Sequence, residues 1–311
     1  MTAFQHARRA DPGRVGATIV FYLPDAGCVA RANRLAAFGL TVVVVDNTPD
    51  DEMPIRLETA LDPSITVVAN RSNLGIGRAL NQGIDALRAA GCDWALLFDQ
   101  DSQPSETLLA ELPQAAAALT AHDPTIALLG PAYQDPRLGA PAPFIRFRAF
   151  KAKRIPSTGS LPVDVDFLIT SGSCLNLLCW PSVGPMDESL FIDSVDLEWC
   201  MRARAKGWRL LGIPWLTMQH SLGGEPINVL GLSYPSHSPL RHYYMCRNAT
   251  ALCLRRYVPW TWKSLELVKM PLRLALYGCF FRPRSAHLGM ALKGILHGLT
   301  GQAGKLETEK R

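Results

Sequence analysis

The sequence predicts an α/β fold in which helices cover both faces of a mainly parallel, Rossmann-like sheet, followed by a basic helical extension at the C-terminus. Four short apolar runs come early in the chain and alternate with helical patterns, at residues 17–23, 41–45, 65–69 and 94–98. Strands that are apolar on both faces and alternate with helices are typical of parallel sheets covered on both sides. Leu80, Ile84 and Leu87 share one face of the third helical pattern, as a sheet-covering helix requires.

The pattern becomes less regular after Gly130. Residues 131–163 are rich in Pro, Arg and Ala, and we interpret them as a long excursion that serves as a lid or an acceptor-side loop. Regular elements then resume. They are a strand over 167–178, a turn at 181–185, a helix over 196–206 that ends at Gly207, and a strand over 209–212 that leads to His220.

Three segments are predicted: a disordered leader over residues 1–14, one α/β domain over 15–240, and a helical extension over 241–311. The leader lacks the apolar core of a signal peptide, and no apolar run approaches the roughly 18 residues of a transmembrane helix. The extension holds 13 Lys and Arg against 3 Asp and Glu, which indicates an anionic partner. We expect it to lie on an anionic membrane surface; packing on the core or against a second copy is the alternative.

The cysteines indicate the compartment. The chain has eight, without a CxxC pair, and most lie in apolar runs. Unpaired thiols of this kind are typical of small buried side chains in a reducing cytosol. Together with the basic extension, they predict a peripheral protein at the cytoplasmic face of the plasma membrane.

Polar motifs follow the second and third strands, at the edge where open parallel sheets bind ligands. Asp46 comes directly after 42–45 and can accept a hydrogen bond from the imide N–H of a uracil or thymine ring; capping a turn is the alternative. Asn73, Gly75 and Arg78 open the next helix, where backbone N–H groups and a guanidinium can bind a phosphate.

An acidic pair follows the fourth strand. Asp99 and Asp101 flank one residue, a spacing that suits a divalent cation whose other ligands are diphosphate oxygens. Mg²⁺ and Mn²⁺ both accept such oxygen ligands. His220 follows the late strand, where a neutral imidazole would complete the metal's ligands. The alternative is an acidic loop in which Asp101 and Ser102 cap the next helix.

A second acidic cluster lies near the start of the predicted helix over 196–206. The helix dipole stabilises anions there, and Asp196 is predicted to be the general base that deprotonates an acceptor hydroxyl. Glu198 and Arg202 are spaced for an i,i+4 ion pair, which would be a purely structural use.

These motifs, in this order and at strand ends, resemble glycosyltransferase family 2, the inverting enzymes of the GT-A fold. The resemblance covers residues 15–220. Residues 44–48 look like the family's nucleotide-binding strand end, 73–83 like its Asn-x-Gly helix, and 99–101 like its DxD metal motif. Asp196 aligns with the aspartate of the family's Glu-Asp base motif, and Val195 replaces the glutamate.

Finer motifs resemble the bacterial rhamnosyltransferases. They are Phe98-Asp99-Gln100-Asp101-Ser102, residues 170–173, residues 191–199, and Tyr243-Tyr244 with Arg247-Asn248. The resemblance implies dTDP-L-rhamnose as donor, Mg²⁺ or Mn²⁺ as cofactor, and a glycan acceptor, often lipid-linked, as in polysaccharide or O-antigen synthesis. It also implies that Asp99 helps to bind the nucleotide sugar and that the sugar or acceptor pocket includes Thr170, Ser171, Gly172, Asp193, Glu198 and Trp199.

Other functions remain as alternatives. A UDP-hexosamine or UDP-galactofuranose donor would keep the same mechanism, whereas an inactive homologue would serve as a glycan-binding scaffold. A sugar-phosphate nucleotidyltransferase needs a Gly-rich, Arg-containing loop after the first strand, where this chain has residues 24–28, Pro-Asp-Ala-Gly-Cys. Nucleic-acid binding is not expected, because the basic extension carries no recognition motif.

Overall fold

The computed structural model describes residues 11–134, 141–148, 151–219, 227–229, 232–234 and 237–307. Its strands are β1 (Val15–Phe21), β2 (Thr41–Asp46), β3 (Thr66–Ala69), β4 (Trp94–Asp99), β5 (Ile126–Gln134), β6 (Phe144–Arg148), β7 (Lys151–Ile155), β8 (Val163–Val165), β9 (Ser173–Asn176), β10 (Arg209–Gln219), β11 (Ile227–Val229) and β12 (Leu232–Tyr234). Its helices are α1 (Ala26–Ala37), α2 (Leu57–Ala60), α3 (Ile76–Ala89), α4 (Glu106–His122), α5 (Trp180–Val183), α6 (Val195–Ala205), α7 (Pro239–Leu254), α8 (Trp260–Phe280) and α9 (Arg284–Thr300).

The central sheet has the strand order β3-β2-β1-β4-β9-β5-β10-β8. The strands from β3 to β4 are mutually parallel, as are β5 and β10. Strand β9 runs antiparallel between β4 and β5, and β8 is antiparallel at one edge. The predicted mainly parallel sheet is therefore confirmed. Because β9 is reversed, residues just before it lie at the same sheet edge as residues just after β4.

Alternation along the strands explains why both faces are covered. Val42 and Val44 of β2 pack in one buried cluster with side chains of α1 and α4, whereas Val43 and Val45 pack in another with α3 and α6. Leu80, Ile84 and Leu87 are all buried in the second cluster, as their spacing predicted.

Several predicted elements differ from the structure, and one of them is β10, which continues to Gln219 beyond its predicted end at residue 212. The strand expected over 167–178 is confined to β9, because the Asn176 side chain caps a 3₁₀ turn at Leu177–Cys179 by accepting from Leu178 N at 3.0 Å. The excursion over 131–163 is more regular than expected. It includes the end of β5, the β6–β7 hairpin and β8.

The C-terminal extension is helical, as predicted, and packs on the α/β domain through α7. Helix α9 crosses α7 at two glycines: a Cβ at Gly298 would lie 2.6 Å from Arg247 O, and one at Gly294 would meet Tyr243 O. This close backbone packing holds α9 against α7. Within the described part of the chain, no helix combines the length and apolar character needed to cross a bilayer.

Candidate active site

A cavity of about 440 Å³ lies where β4 ends and β9 begins. Four carboxylates and one guanidinium line it, those of Asp99, Asp101, Asp193, Asp196 and Arg241. The rest of its wall consists of Ile76, Leu80, Gln100, Ile169, Thr170, Ser171, Ile192, Ser194 and Val195. The two acidic clusters that are far apart in the sequence therefore face one space.

The turn that carries the first acidic pair is fixed by its own hydrogen bonds. Asp99 N donates to Ser102 Oγ at 3.0 Å, and Ser102 Oγ lies 2.6 Å from Ser171 Oγ. Arg31 Nε donates to Gln100 O at 2.7 Å from the neighbouring helix α1. This network places Ser171 against the acidic turn, and it leaves Asp101 exposed at the cavity wall.

The donor set of this turn fits a hard divalent cation. Asp99 and Asp101 supply carboxylate oxygens on the same cavity, which suits a cation that takes its other ligands from a substrate's phosphates. Among the described residues, no three His, Cys, Asp or Glu side chains form a complete metal site. His220 lies outside the described residues; the last residue of β10, Gln219, pairs with Gln103, two residues after Asp101.

A strained turn carries the second acidic cluster. Phe191 has φ 63° and ψ −61°, and Ile192 N donates to Leu190 O at 2.7 Å, which closes a γ-turn of the rare, strained kind. Asp193 and Ser194 follow with φ 66° and 64°. Each such non-glycine conformation costs about 1–3 kcal/mol and persists only where its surroundings enforce it. The turn brings both Asp193 and Asp196 to the cavity.

Asp196 has the properties of a general base. It is the second residue of α6, and its Oδ1 accepts from Leu197 N at 2.8 Å. Burial raises the pKa of Asp196 to about 6, and the negative charges of Asp99 and Asp193 act in the same direction. A carboxyl with this pKa is mostly ionised at neutral pH and remains basic enough to accept a proton.

We expect the rate of the reaction at this site to rise with pH through about 6, because Asp196 accepts a proton only when it is ionised. The pH dependence of kcat/KM between pH 4.5 and 8.5 measures this pKa in the free enzyme. The raised pKa also means that ionising Asp196 destabilises the folded state. Its contribution to stability is therefore present below its ordinary pKa and is lost as pH rises through about 6. A flat profile across this range would exclude Asp196 as the base.

Arg241 is a cavity residue that the sequence did not predict. Its Nε and Nη2 donate to the two carboxylate oxygens of Asp193 at 2.8 Å each. Helix α7 supplies it, one turn after the Ser238 side chain caps that helix. Ser238-Pro239 is a recognisable helix start, but nothing in the sequence pairs a residue there with Asp193.

Asp46 lies at the end of β2, outside the main cavity. It is 1% exposed, and its Oδ1 accepts from Thr48 N at 3.1 Å and Thr48 Oγ1 at 2.7 Å. Its Oδ2 has no hydrogen-bond partner among the described residues, and burial raises its pKa. The Thr48 contacts are the turn cap expected as the alternative, and the second oxygen is buried without a donor among the described residues.

Three residues of the 73–78 segment bind protein groups. Asn73 Oδ1 accepts from Gly75 N at 3.0 Å. Gly75 has φ 88°, and a Cβ there would lie 2.6 Å from Phe191 O, so glycine is required by the strained turn. Arg78 Nη1 pairs with Glu188 Oε2 at 2.9 Å. Neither Gly75 nor Arg78 lines the cavity. The Gly75 backbone is bonded to the side chains of Asn73 and Asn47, and the Arg78 guanidinium pairs with Glu188, so the role of both residues as phosphate ligands stays a prediction.

Glu198 is a structural residue and does not line the sugar pocket. It is fully buried, and Arg202 Nε donates to its Oε1 at 2.7 Å. Arg255 and the hydroxyl of Tyr257 also reach this carboxylate, at 3.5 Å and 2.5 Å. The i,i+4 pair with Arg202 is thus the correct interpretation, and Glu198 additionally ties the segment after α7 to the domain.

Trp199 and Gly172 also lie behind the pocket. Trp199 stacks on Trp180 and donates its Nε1 proton to Gly184 O at 3.0 Å, which makes it a core residue. Gly172 has φ 80°, and a Cβ there would meet the Met218 sulfur. Of the predicted sugar or acceptor residues, those that line the cavity are Thr170, Ser171 and Asp193.

Comparisons with known proteins agree with this geometry. Residues 26–155 match the model of the family described as glycosyl transferase family 2. The dTDP-rhamnosyl transferase RfbF of Shigella flexneri is 28% identical over 291 residues, which is 93% of this chain and 96% of that protein. The crystal structure of GalNAc-T7 with UDP, GalNAc and Mn²⁺ gives a TM-score of 0.53 at 13% identity. That likeness covers 93% of this chain, and the chain spans 56% of the length of GalNAc-T7. Because the identity is only 13%, the likeness shows the fold alone.

Proposed function

We propose that this chain, which belongs to glycosyltransferase family 2 and has the GT-A fold, transfers L-rhamnose with inversion from dTDP-L-rhamnose to a glycan hydroxyl. The observation that carries the proposal is the shared cavity, in which Asp196 faces the Asp99 and Asp101 pair. A base and a diphosphate-binding acidic pair on one cavity are what glycosyl transfer from a nucleotide sugar requires. Similarity to RfbF over nearly the whole length of both chains supports rhamnose as the sugar.

Asp46 is proposed to recognise the nucleobase. Thr48 holds one carboxylate oxygen, and the other, Oδ2, is buried without a partner, so the imide N–H of thymine binds it once the residues around the strand end move aside. Burying an unpaired carboxylate oxygen costs free energy, and a ring N–H would satisfy it. Asn73 remains a proposed contact of the nucleotide because it begins the loop next to this strand end.

Asp101 and Asp99 are proposed to hold Mg²⁺ or Mn²⁺, with His220 as a further ligand. When bound, the metal neutralises the negative charge that develops on the departing nucleoside diphosphate. The fixed turn around Ser102 and Ser171 supports this role, because it holds the backbone that carries both carboxylates at the cavity.

The residues of the chain perform the proton transfer and the positioning. Asp196 takes the proton of the acceptor hydroxyl as its oxygen attacks the anomeric carbon, and the carbon–oxygen bond to the diphosphate breaks with its electron pair on the diphosphate. Attack opposite the leaving group inverts the anomeric configuration. Thr170, Ser171 and Asp193 are placed along the cavity wall to bind sugar or acceptor hydroxyls, with Asp193 oriented by Arg241.

We propose that the acceptor is lipid-linked and that α8 and α9 place the enzyme on the cytoplasmic leaflet. Helix α8 exposes Leu267, Val268 and Leu272 on one side, and α9 exposes Leu292, Leu296 and Leu299. We call these six residues the apolar surface. Exposed basic residues accompany it, namely Lys269, Arg282, Arg284 and Lys293. Apolar and basic side chains together are typical of helices that lie in the headgroup layer of an anionic bilayer.

The membrane proposal predicts that Leu272→Glu with Leu296→Glu abolishes flotation with vesicles that contain anionic lipid. Each leucine would lose its favourable insertion, and each new carboxylate would be repelled by the leaflet. Leu178→Glu is the matched control, because Leu178 is 80% exposed on the catalytic domain, outside the apolar surface. Equal flotation of all three proteins would contradict the proposal.

The donor is tested by calorimetric titration with a panel of nucleotide sugars, in Mg²⁺ or Mn²⁺ and again with chelator. We expect dTDP-L-rhamnose to bind tightest and to require the metal. Preference for a UDP-hexosamine or UDP-galactofuranose would keep the mechanism and exclude rhamnose. If no nucleotide binds, the chain is a scaffold homologue.

A further inference from the structure

The extension reaches the active site through one buried amide. Asn248 of α7 is fully buried, and its Nδ2 lies 3.0 Å from Leu190 O, 2.7 Å from Ile192 O and 2.8 Å from Asp193 O. These carbonyls belong to the strained turn that precedes α6. A single side chain therefore contacts the backbone on both sides of the residue with the γ-turn conformation.

Arg247 fixes the orientation of that amide. Its Nε donates to Asn248 Oδ1 at 2.9 Å, so the Asn248 NH₂ group must face the turn. Its Nη2 donates to Leu190 O at 2.7 Å and to Ser189 O at 3.2 Å. Arg247 is itself 2% exposed and lies over the Tyr244 ring at 4.9 Å. The guanidinium thus cannot turn toward solvent without breaking buried contacts.

The remaining carbonyl of the turn is also bound. Phe191 O accepts from Ile76 N at 2.7 Å, at the start of α3. Every backbone carbonyl from Ser189 to Asp193 therefore has a hydrogen-bond donor. Asn248 or Arg247 supplies one in four of the five cases, with Gly304 N as a further donor to Ser189 O and Ile192 N to Leu190 O. Positive φ at Phe191, Asp193 and Ser194 is unfavourable, so these donors oppose the relaxation of the turn.

We propose that Asn248, oriented by Arg247, is a positioning residue that holds Asp196 and Asp193 in their reactive places, a role that rests on the proposed transfer reaction. Asp196 lies two residues after Ser194, the last strained residue. Without the amide, Ile192 O and Asp193 O lose their donor, whereas Leu190 O keeps Arg247 Nη2, and the turn relaxes toward ordinary φ. Both carboxylates then move relative to the Asp99–Asp101 turn. The helical extension in this way helps to build the catalytic centre.

The test compares Asn248→Ala and Asn248→Ser with Tyr243→Phe as matched control. Tyr243 is also on α7, and its hydroxyl lies 2.7 Å from His297 Nδ1 on α9, so Phe removes a partly buried hydrogen bond of the extension and makes no change to the hydrogen bonds of the turn. For Ala we expect kcat to fall about 10²-fold, as misplacement by about 1 Å does, with donor KM nearly unchanged. The Ser variant retains one donor and should be intermediate.

Two readouts separate positioning from loss of fold. Hydrogen exchange of the amides over residues 188–197 should accelerate in both Asn248 variants and stay unchanged in Tyr243→Phe. The pH midpoint of kcat/KM should also shift in the Asn248 variants alone. If Asn248→Ala does not fold, the Ser variant carries the comparison. Wild-type kcat and unchanged exchange in the variant tested would overturn the proposal, and so would equal losses in Tyr243→Phe.

These readouts also keep this proposal distinct from the proposed function. If wild-type protein transfers no sugar, the function is wrong, and the exchange comparison alone then decides whether Asn248 holds the turn. If the wild type transfers sugar and the Asn248 variants have the same kcat and the same hydrogen exchange, the proposed function is supported and the positioning role of Asn248 is wrong.

Discussion

Asp196→Asn is expected to lower kcat by about 10²–10⁴-fold, the usual contribution of a general base. The amide has nearly the same shape as the carboxylate but cannot accept the proton of the acceptor hydroxyl. Donor affinity should change little, because Asp99 and Asp101 and the site at Asp46 are untouched. Steady-state release of the nucleoside diphosphate measures the first effect, and calorimetric titration of the donor measures the second.

The same substitution should stabilise the fold at neutral pH. Burial raises the pKa of Asp196 to about 6, so the wild-type protein holds an unfavourable buried charge at pH 7 that Asn removes. The gain in Tm should disappear as pH falls below the ordinary aspartate pKa. Asp85→Asn, on the outer side of α3, is the control and should change neither kcat nor Tm appreciably. A kcat near the wild-type value in Asp196→Asn would exclude Asp196 as the general base.

Asp101→Asn is expected to have an effect of comparable size through a different step. Loss of one carboxylate weakens the binding of the divalent ion. Because the ion contributes several kcal/mol to stabilising the leaving diphosphate, we expect kcat/KM to fall on the order of 10³-fold. Donor binding should become weak and insensitive to chelator, whereas Asp196→Asn keeps metal-dependent binding. In the same calorimetric titration, Asp101→Asn should therefore lose donor binding, whereas Asp196→Asn should retain it.

One result of the Asp101→Asn titration would contradict the assignment of the metal site to Asp99 and Asp101. If Asp101→Asn binds dTDP-L-rhamnose as tightly as wild type, and chelator still weakens that binding, the metal is held elsewhere. Ser102→Ala is informative beside it, because Ser102 only supports the turn through Asp99 N and Ser171. It should cost less than the loss of the carboxylate.

Local patterns were sufficient to predict the sheet and the strand-end carboxylates. The valines of β2 are buried on both faces, and residues at the C-terminal end of such a parallel strand lie at the edge of the sheet where ligands bind. Asp99 and Asp101 follow the same logic at β4. Asp196 was predicted from its place at a helix start, and the structure adds the raised pKa that only the surrounding protein produces.

Long-range contacts could not be predicted from these patterns. The sequence predicts that Gly75 opens a loop that binds a phosphate, but it does not show that the strained turn at Phe191, more than a hundred residues away in sequence, also requires glycine there. Glu198 shares its cluster with Asp196, yet it points into the core because Arg202, Arg255 and Tyr257 meet it there. Arg241 and Asn248 lie in the extension, and only folding brings them to residues 190–193.

The most direct test of sugar transfer uses donors labelled in the sugar, with membranes of the source cell as acceptor. Wild-type protein and Asp196→Asn are each given dTDP-L-rhamnose and, separately, UDP-sugars, and label in the lipid-extractable glycan is counted. We expect transfer from dTDP-L-rhamnose by the wild type, loss of that transfer with chelator, and none above background by Asp196→Asn. Label only from a UDP-sugar, or equal labelling by both proteins, would contradict it.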